Sequence, residues 1–131
     1  MNLHLLVLDG VFDLGLAALM DTLSTANELA GSLAQAPPPI NVTLVGVRRR
    51  VRTAHGLAVP VVPVHRVQNP DVVLVPALGA KMPDALAARL AHADVADAVV
   101  ALQQWSSARA AAGAACTGTF LLAESALLDG Q

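Results

Sequence analysis

Residues 111–123, AAGAACTGTFLLA, decide the fold and contain the chain's single cysteine, Cys116. Small residues lead into the cysteine and helix-forming residues follow it. This order predicts a strand over residues 111–115, a sharp turn at Cys116 and a helix over residues 117–128. Such a turn holds a side chain clear of the backbone at a helix N-terminus, where a thiolate is favoured and an anion can bind. Cys116 is therefore the first candidate for function.

The rest of the chain alternates between predicted strands and helices. We expect strands over residues 3–8, 40–47 and 71–75, short strands over 51–53 and 57–64, and helices over 14–30, 83–92 and 94–105. This alternation is typical of an α/β fold, here a three-layer sandwich with a mostly parallel sheet, in one domain over residues 1–131. A central strand and its helix normally have further strands beside them, so we expect the C-terminal part of the domain to be missing.

The composition excludes several classes of protein. Apolar residues make up 55% of the 131 residues and charged residues 14%, which is typical of a chain with a core rather than of a disordered one. One cysteine leaves no internal disulfide, and the four histidines lack the spacing of a zinc site. No loop of the kind that cradles a cofactor's phosphates occurs, and we expect neither a cofactor nor a metal. Because no signal peptide and no apolar run of about 18 residues is present, we expect a cytoplasmic protein without membrane contact.

The strongest charge feature is the run Arg48-Arg49-Arg50-Val51-Arg52. One interpretation is a nucleic-acid contact, and the other is a solvated turn between two strands. The net charge of −2 and the aromatic content of 2% favour the solvated turn, because they provide neither a broad positive field nor a surface on which bases could stack.

Residues 115–123, ACTGTFLLA, and residues 126–130, ALLDG, resemble the ThiJ/PfpI family, which has the class I glutamine amidotransferase-like fold. More narrowly, they look like the N-terminal domain of GlxA-type transcriptional regulators of the AraC family. Weaker similarity covers the first strand, the end of the first helix and the strand at residues 71–76. The resemblance implies a small-molecule ligand, and DNA contact only through a C-terminal helix-turn-helix domain that is absent from these residues. We also expect a homodimer, because the strand over residues 111–115 would have an uncovered edge if the chain ended at Gln131. The chain thus resembles a truncated regulator.

The resemblance also implies roles for five residues. Cys116 matches the family's cysteine, and Asp21 matches an acidic position on the first helix whose carboxyl meets that thiol. Gly79 lies where the family has Pro-Gly-Gly and this chain has Pro-Ala-Leu-Gly, a segment whose backbone N–H faces the cysteine. Together with the N–H groups of Thr117 and Gly118, Gly79 would bind a carboxylate or carbonyl oxygen.

Three functions stay open at this point. Thr117 stands where the family's hydrolases often have histidine, and no base for the thiol is identified, which favours a ligand-sensing domain over an enzyme. One alternative is a stand-alone cysteine hydrolase, amidase or hydratase with Cys116 as its nucleophile. The other is a redox sensor whose thiol oxidises to a sulfenic or sulfinic acid.

Overall fold

The computed structural model describes residues 1–130, which form one central sheet and a small two-stranded ribbon. The strands are β1 (Asn2–Leu6), β2 (Asn41–Gly46), β3 (Val51–Arg52), β4 (Ala58–Val59), β5 (Val62–Pro63), β6 (Val72–Val75) and β7 (Ala111–Ala114). The central sheet has the order β5-β2-β1-β6-β7, and every pair in it is parallel. The ribbon consists of β3 and β4, which pair antiparallel.

Helices cover both faces of the sheet. Within residues 1–130 they are α1 (Asp13–Ala30), α2 (Pro83–Leu90), α3 (Ala93–Ser107) and α4 (Thr119–Glu124), with 3-10 turns at Val64–Arg66 and Cys116–Gly118. In this part of the chain, no helix combines the length and the apolar character that crossing a membrane requires.

Alternation along β1 divides the core into two clusters, one on each face of the sheet. Leu5 belongs to the cluster that contains Leu16 of α1, whereas Leu6 belongs to the cluster that contains Leu102 and Trp105 of α3. Successive strand residues point to opposite faces, so two apolar faces require helices on both sides. The predicted three-layer α/β sandwich with a mostly parallel sheet is confirmed.

Most predicted bounds differ from the observed ones by one or two residues, and three elements illustrate the differences. β1 ends at Leu6 rather than at residue 8. The strand predicted over residues 57–64 is divided at Pro60, whose nitrogen has no hydrogen to donate to a strand ladder. The last helix ends at Glu124 rather than at residue 128. Directly after Glu124, the Ser125 hydroxyl donates to the Leu122 carbonyl at 2.7 Å, and Ala126 takes a φ of 60°.

The crevice at the carboxyl ends of β1 and β6 positions the candidate site. The strand order reverses between these two strands, and ligands of open α/β sheets bind at such a reversal. The loops that follow the two strands are joined by two backbone hydrogen bonds. The Gly79 N–H donates to the Gly10 carbonyl, and the Phe12 N–H donates to the Ala77 carbonyl, both at 2.8 Å.

Candidate functional site

The turn at residues 115–118, here called the elbow, holds Cys116 in a strained backbone conformation. Ala115 is extended, and Cys116 then takes a φ of 52°, a left-handed conformation that costs a residue with a Cβ about 1–3 kcal/mol. The Cys116 side chain is exposed. The strand, sharp turn and following helical segment predicted from the sequence are therefore present, with the thiol on the turn.

Contacts with the end of β6 hold the elbow in this conformation. The Ala115 N–H donates to the Val75 carbonyl at 2.9 Å. Gly118 is buried, and a Cβ on it would lie 2.5 Å from the Val75 oxygen and 2.6 Å from the Pro76 oxygen, so this position requires glycine. The strain at Cys116 is thus maintained by packing that leaves no room for the elbow to relax.

Thr117 supports the elbow through its side chain. Its hydroxyl donates to the Leu78 carbonyl at 3.0 Å and so ties the elbow to the loop that follows β6. Because the hydroxyl proton is used in this bond, Thr117 performs none of the acid–base work that a histidine at this position would do.

The predicted backbone donors need a correction. The Gly79 N–H is engaged by the Gly10 carbonyl at 2.8 Å, and the Gly118 N–H by the Ala115 carbonyl at 2.9 Å, so neither is free to bind an anion. Among residues 1–130, no hydrogen bond uses the N–H of Cys116 or Thr117. The donors at the elbow are therefore these two N–H groups, and α4, with six residues, adds only a short helix dipole.

Asp21 lies away from the elbow. It is exposed on α1 and lines a shallow surface groove with Thr22, Thr25 and Leu29. The helix begins at the crevice with Asp13, and eight residues at 1.5 Å each place Asp21 about 12 Å further along its axis. No hydrogen bond of the described residues joins Asp21 to Cys116. The structure therefore does not bring together the pair that the resemblance implied.

Asp13 is the carboxylate that sequence reasoning missed. Its Oδ2 lies 2.8 Å from Nδ1 of His55 and accepts the His55 backbone N–H at 3.2 Å, while its buried Oδ1 has no hydrogen-bond partner within residues 1–130. The neighbouring Thr53 hydroxyl and the His55 ring lower the pKa of Asp13 and outweigh the effect of burial, which raises it. An acidic residue directly after the first strand's loop, at the start of a helix, was the available signal.

An apolar groove of about 370 Å³ lies beside the elbow. It is lined by Lys81, Pro83, Leu86, Ala87, Leu90, Thr117 and Phe120. Phe120 is 47% exposed, and Nζ of Lys81 lies 4.4 Å from the centroid of the Phe12 ring, which places one cation at the rim. The groove is suited to a small apolar molecule. Residues 1–130 contain no cluster of three or more His, Cys, Asp or Glu side chains that could hold a metal ion.

Comparisons with known proteins identify the fold. No family model matches the chain, and no curated protein matches its sequence. Among solved structures, an AraC family transcriptional regulator from Pseudomonas putida superposes with a TM-score of 0.72 at 18% identity over 98% of this chain. A DJ-1 superfamily protein from Agrobacterium tumefaciens superposes at 0.67 with 14% identity over 99% of this chain. The chain has the DJ-1/ThiJ/PfpI-like fold.

A third solved structure widens the range of proteins with this fold. It is a two-domain protein from Anabaena variabilis with DJ-1/ThiJ/PfpI-like and ferritin-like domains, which matches the whole chain at 19% identity with a TM-score of 0.65. The chain spans 62% of the Pseudomonas regulator, 61% of the Agrobacterium protein and 35% of the Anabaena protein, less than two thirds of each.

The DJ-1/ThiJ/PfpI-like fold brings three features to the carboxyl edge of its sheet. The elbow follows β7, the apolar groove adjoins the elbow through Thr117, and the pair of Asp13 and His55 lies where α1 and the ribbon meet the loop after β1. What the arrangement offers is an exposed thiol, two free N–H groups, an apolar wall and a histidine oriented by a carboxylate.

Proposed function

We propose that this chain is the ligand-sensing domain of a GlxA-type transcriptional regulator of the AraC family and that it binds a small molecule at the elbow. One observation carries the proposal. A strained, exposed Cys116 lies beside an apolar groove in a fold that the chain shares with the AraC family regulator from Pseudomonas putida. Strain that packing maintains at an exposed turn is typical of functional sites.

The chemistry of the groove suggests the class of ligand. Its walls are mainly aliphatic and aromatic, Lys81 lies at its rim, and the N–H groups of Cys116 and Thr117 have no acceptor within residues 1–130. A small apolar molecule with one carboxylate matches this combination, because its body would displace water from the groove while its anionic end met the N–H groups.

Sensing is favoured over catalysis because, within residues 1–130, no base is hydrogen-bonded to the Cys116 thiol. The Thr117 hydroxyl is engaged with Leu78, and no side-chain hydrogen bond of residues 1–130 involves the Cys116 thiol. A sensing domain acts by binding one conformation of the protein more tightly than another. In this proposal, the conformations differ in dimer geometry, a further domain contacts DNA, and the protein is cytoplasmic, as regulators of transcription in bacteria are.

The proposed homodimer has support at the edge of the sheet. Within residues 1–130, β6 is the one strand that pairs with β7, so in this part of the chain the other side of β7 presents unpaired backbone groups. Exposed edges of this kind tend to pair with another chain. Sedimentation equilibrium of the purified chain is expected to give a dimer, and a monodisperse monomer at all concentrations would contradict this part of the proposal.

A titration with benzoate and hexanoate tests the proposed ligand class. Either carboxylate is expected to raise the melting temperature and to slow alkylation of Cys116 by iodoacetamide, because a bound molecule covers the thiol. Phe120→Ser is expected to weaken both effects by removing the groove wall. Leu29→Ser is the matched control, since Leu29 is 64% exposed on the outer face of α1 and lies outside the groove. Equal loss in both variants, or no protection of Cys116 by either carboxylate, would contradict the proposal.

The pair of Asp13 and His55 favours a second candidate, a cysteine hydrolase. A histidine held by a carboxylate at the same edge of the sheet is the kind of group that takes a proton from a thiol during acyl transfer. Incubation with activated esters followed by mass spectrometry would reveal an acyl adduct on Cys116. Turnover that Cys116→Ser and His55→Gln both abolish would favour the enzyme over the sensor. Oxidation of Cys116 by peroxide without any adduct would instead favour the redox sensor.

A further inference from the structure

A second, larger groove opens at the carboxyl ends of β1 and β2. We call it the basic groove, and its side-chain lining is chiefly Asp9, Arg48, Arg49, Arg50, Arg89 and Asp94. Its volume of about 790 Å³ is in the range of small-molecule sites in proteins. The arginines Arg48, Arg49 and Arg50 are exposed between β2 and β3, at the turn predicted from the sequence, and none of the lining residues belongs to the elbow site.

Within residues 1–130, two arginines of the basic groove form no salt bridge. Arg48 is paired with Asp97 at 2.6 Å, and Arg89 is paired with both carboxylate oxygens of Asp94 at 2.8 and 2.6 Å. No salt bridge within residues 1–130 includes Arg49 or Arg50. A guanidinium presents two parallel N–H groups that match the oxygens of a phosphate, so this pair of arginines is suited to an anion with several oxygens.

The pair of Arg89 and Asp94 fixes the wall of the basic groove. Both side chains are nearly buried, and Arg89 also donates through Nε and Nη2 to the Asp9 carbonyl at 3.2 and 2.9 Å. These bonds join the end of α2, the start of α3 and the loop after β1. Burial raises the pKa of Asp94, but its bonds to the Arg89 guanidinium outweigh burial and hold that pKa below its ordinary value. The carboxylate therefore stays ionised and is neutralised by Arg89.

The N-terminus of α3 adds donors to the same groove. Ala93 and Asp94 line it, and no hydrogen bond of the described residues uses their backbone N–H groups. α3 has 15 residues, so its dipole favours negative charge at this end. Free N–H groups and two unpaired arginines thus face one cavity.

Asp9 restricts which anions are suited to the groove. It is exposed, and its Oδ1 accepts the Arg52 backbone N–H at 2.8 Å, which orients the carboxylate at the groove. A carboxylate repels a bare anion but accepts hydrogen bonds from hydroxyl groups, as the acidic residue of dinucleotide sites does with a ribose. We propose that the basic groove binds a small phosphate ester that carries hydroxyl groups, with its phosphate on Arg49, Arg50 and the α3 N-terminus and its hydroxyls on Asp9.

Calorimetric titration with ribose 5-phosphate, AMP and ribose tests the site. Both phosphate esters are expected to bind and ribose is not. Arg49→Gln/Arg50→Gln is expected to weaken the binding of ribose 5-phosphate at least about tenfold, since hydrogen bonds to charged groups are lost. Arg66→Gln/Arg109→Gln removes two exposed arginines outside the groove and is expected to change the affinity less than about threefold. Tighter binding of AMP than of ribose 5-phosphate would identify a nucleotide, and equal binding would identify a sugar phosphate.

The variant Asp9→Asn tests the hydroxyl contact with Asp9 separately from the phosphate contact with the arginines. This variant keeps the Oδ1 acceptor for the Arg52 N–H and removes the negative charge. It is therefore expected to weaken the binding of ribose 5-phosphate and to strengthen the binding of inorganic pyrophosphate, which has no sugar hydroxyls. Failure of ribose 5-phosphate and AMP to bind at millimolar concentration would overturn the proposal, as would an equal loss of affinity in the two double variants. Duplex DNA that binds through Arg49 and Arg50 while neither ester binds would assign the groove to nucleic acid instead.

Discussion

The elbow and the basic groove lie at the same edge of the sheet but are built differently. At the elbow, the chemistry depends on backbone conformation, with Cys116 at a φ of 52° and Gly118 packed against the end of β6. In the basic groove, it depends on charged side chains, some paired and some not. A site built from backbone conformation is inseparable from the fold around it, whereas unpaired surface charges can be removed without unfolding the protein. Three predictions test this difference, from the largest expected effect to the smallest, and a fourth concerns a buried histidine of the core.

Gly118→Ala is expected to have the largest effect. The new Cβ would lie 2.5 and 2.6 Å from two backbone carbonyl oxygens, so either the elbow or the end of β6 must move. We expect a loss of at least about 3 kcal/mol of unfolding free energy in urea titrations, or no folded protein. Gly31→Ala is the control, because its Cβ would meet only ordinary contacts at 3.5 Å and its φ is −63°. Similar stabilities of the two variants would show that the elbow is not tightly packed.

The two paired arginines of the basic groove, Arg89 and Arg48, are expected to contribute unequally to the free energy of unfolding. Arg89→Met leaves the nearly buried Asp94 carboxylate without its partner and should cost about 3 kcal/mol. Arg48→Met removes an exposed partner, 43% accessible at its side chain, and should cost less than about 1 kcal/mol. Urea unfolding measures both values. If the Arg48 variant were the less stable one, the view of Arg89 as the support of the groove would be wrong.

Cys116→Gly is expected to stabilise the protein. Glycine adopts the left-handed conformation without strain, so we expect a gain of about 1 kcal/mol after its larger unfolded-state entropy is included. Cys116→Ala keeps a Cβ in the strained conformation and serves as the matched control, with an expected change near zero. Thermal denaturation of both variants shows whether a change in stability comes from relief of backbone strain or from loss of the thiol. Equal stabilities would mean that Cys116 is not strained.

His4 is expected to make stability depend modestly on pH. Its side chain is buried and makes a T-shaped contact with the Trp105 ring, its Nδ1 has no hydrogen-bond partner within residues 1–130, and burial lowers its pKa from 6.5. The unfolded chain therefore binds the proton more readily than the folded one, so stability is complete above about pH 6.5 and falls as the pH drops below it. Unfolding free energies between about pH 7.5 and 5.5 should show this slope in the native protein. The slope should be smaller in His4→Leu, and an identical slope would exclude His4 as its source.

The local sequence was sufficient to predict the fold class and the position of the Cys116 thiol on a turn. Small residues before Cys116 and helix-forming residues after it define a strand, a turn and a helix within one short segment, and all three are present. The helix predicted over residues 94–105 is present as α3, and Trp105 near its end is buried in the core. Patterns of this kind depend on neighbours in the chain, which a sequence displays directly.

The partners of the elbow could not be predicted in the same way. The bond between Asp13 and His55 joins residues that are 42 positions apart, and no local sequence pattern predicts it. Whether the N–H of Gly79 is free depends on the Gly10 carbonyl, 69 positions away in the chain, which only tertiary packing brings close. Asp21 was assigned to the elbow by the resemblance alone. The start of α1 was predicted to within one residue, and a helix that begins at the crevice with Asp13 places Asp21 about 12 Å further along its axis.

The most direct test is a pair of ¹H–¹⁵N correlation titrations of the native protein. Benzoate is expected to shift the amide resonances of Cys116 and Thr117, whose N–H groups have no acceptor within residues 1–130, and to leave those of Ala93 and Asp94 in place. Ribose 5-phosphate is expected to produce the opposite pattern. Unchanged Cys116 and Thr117 resonances throughout the benzoate titration would contradict the central claim that the elbow is a binding site for a small carboxylate.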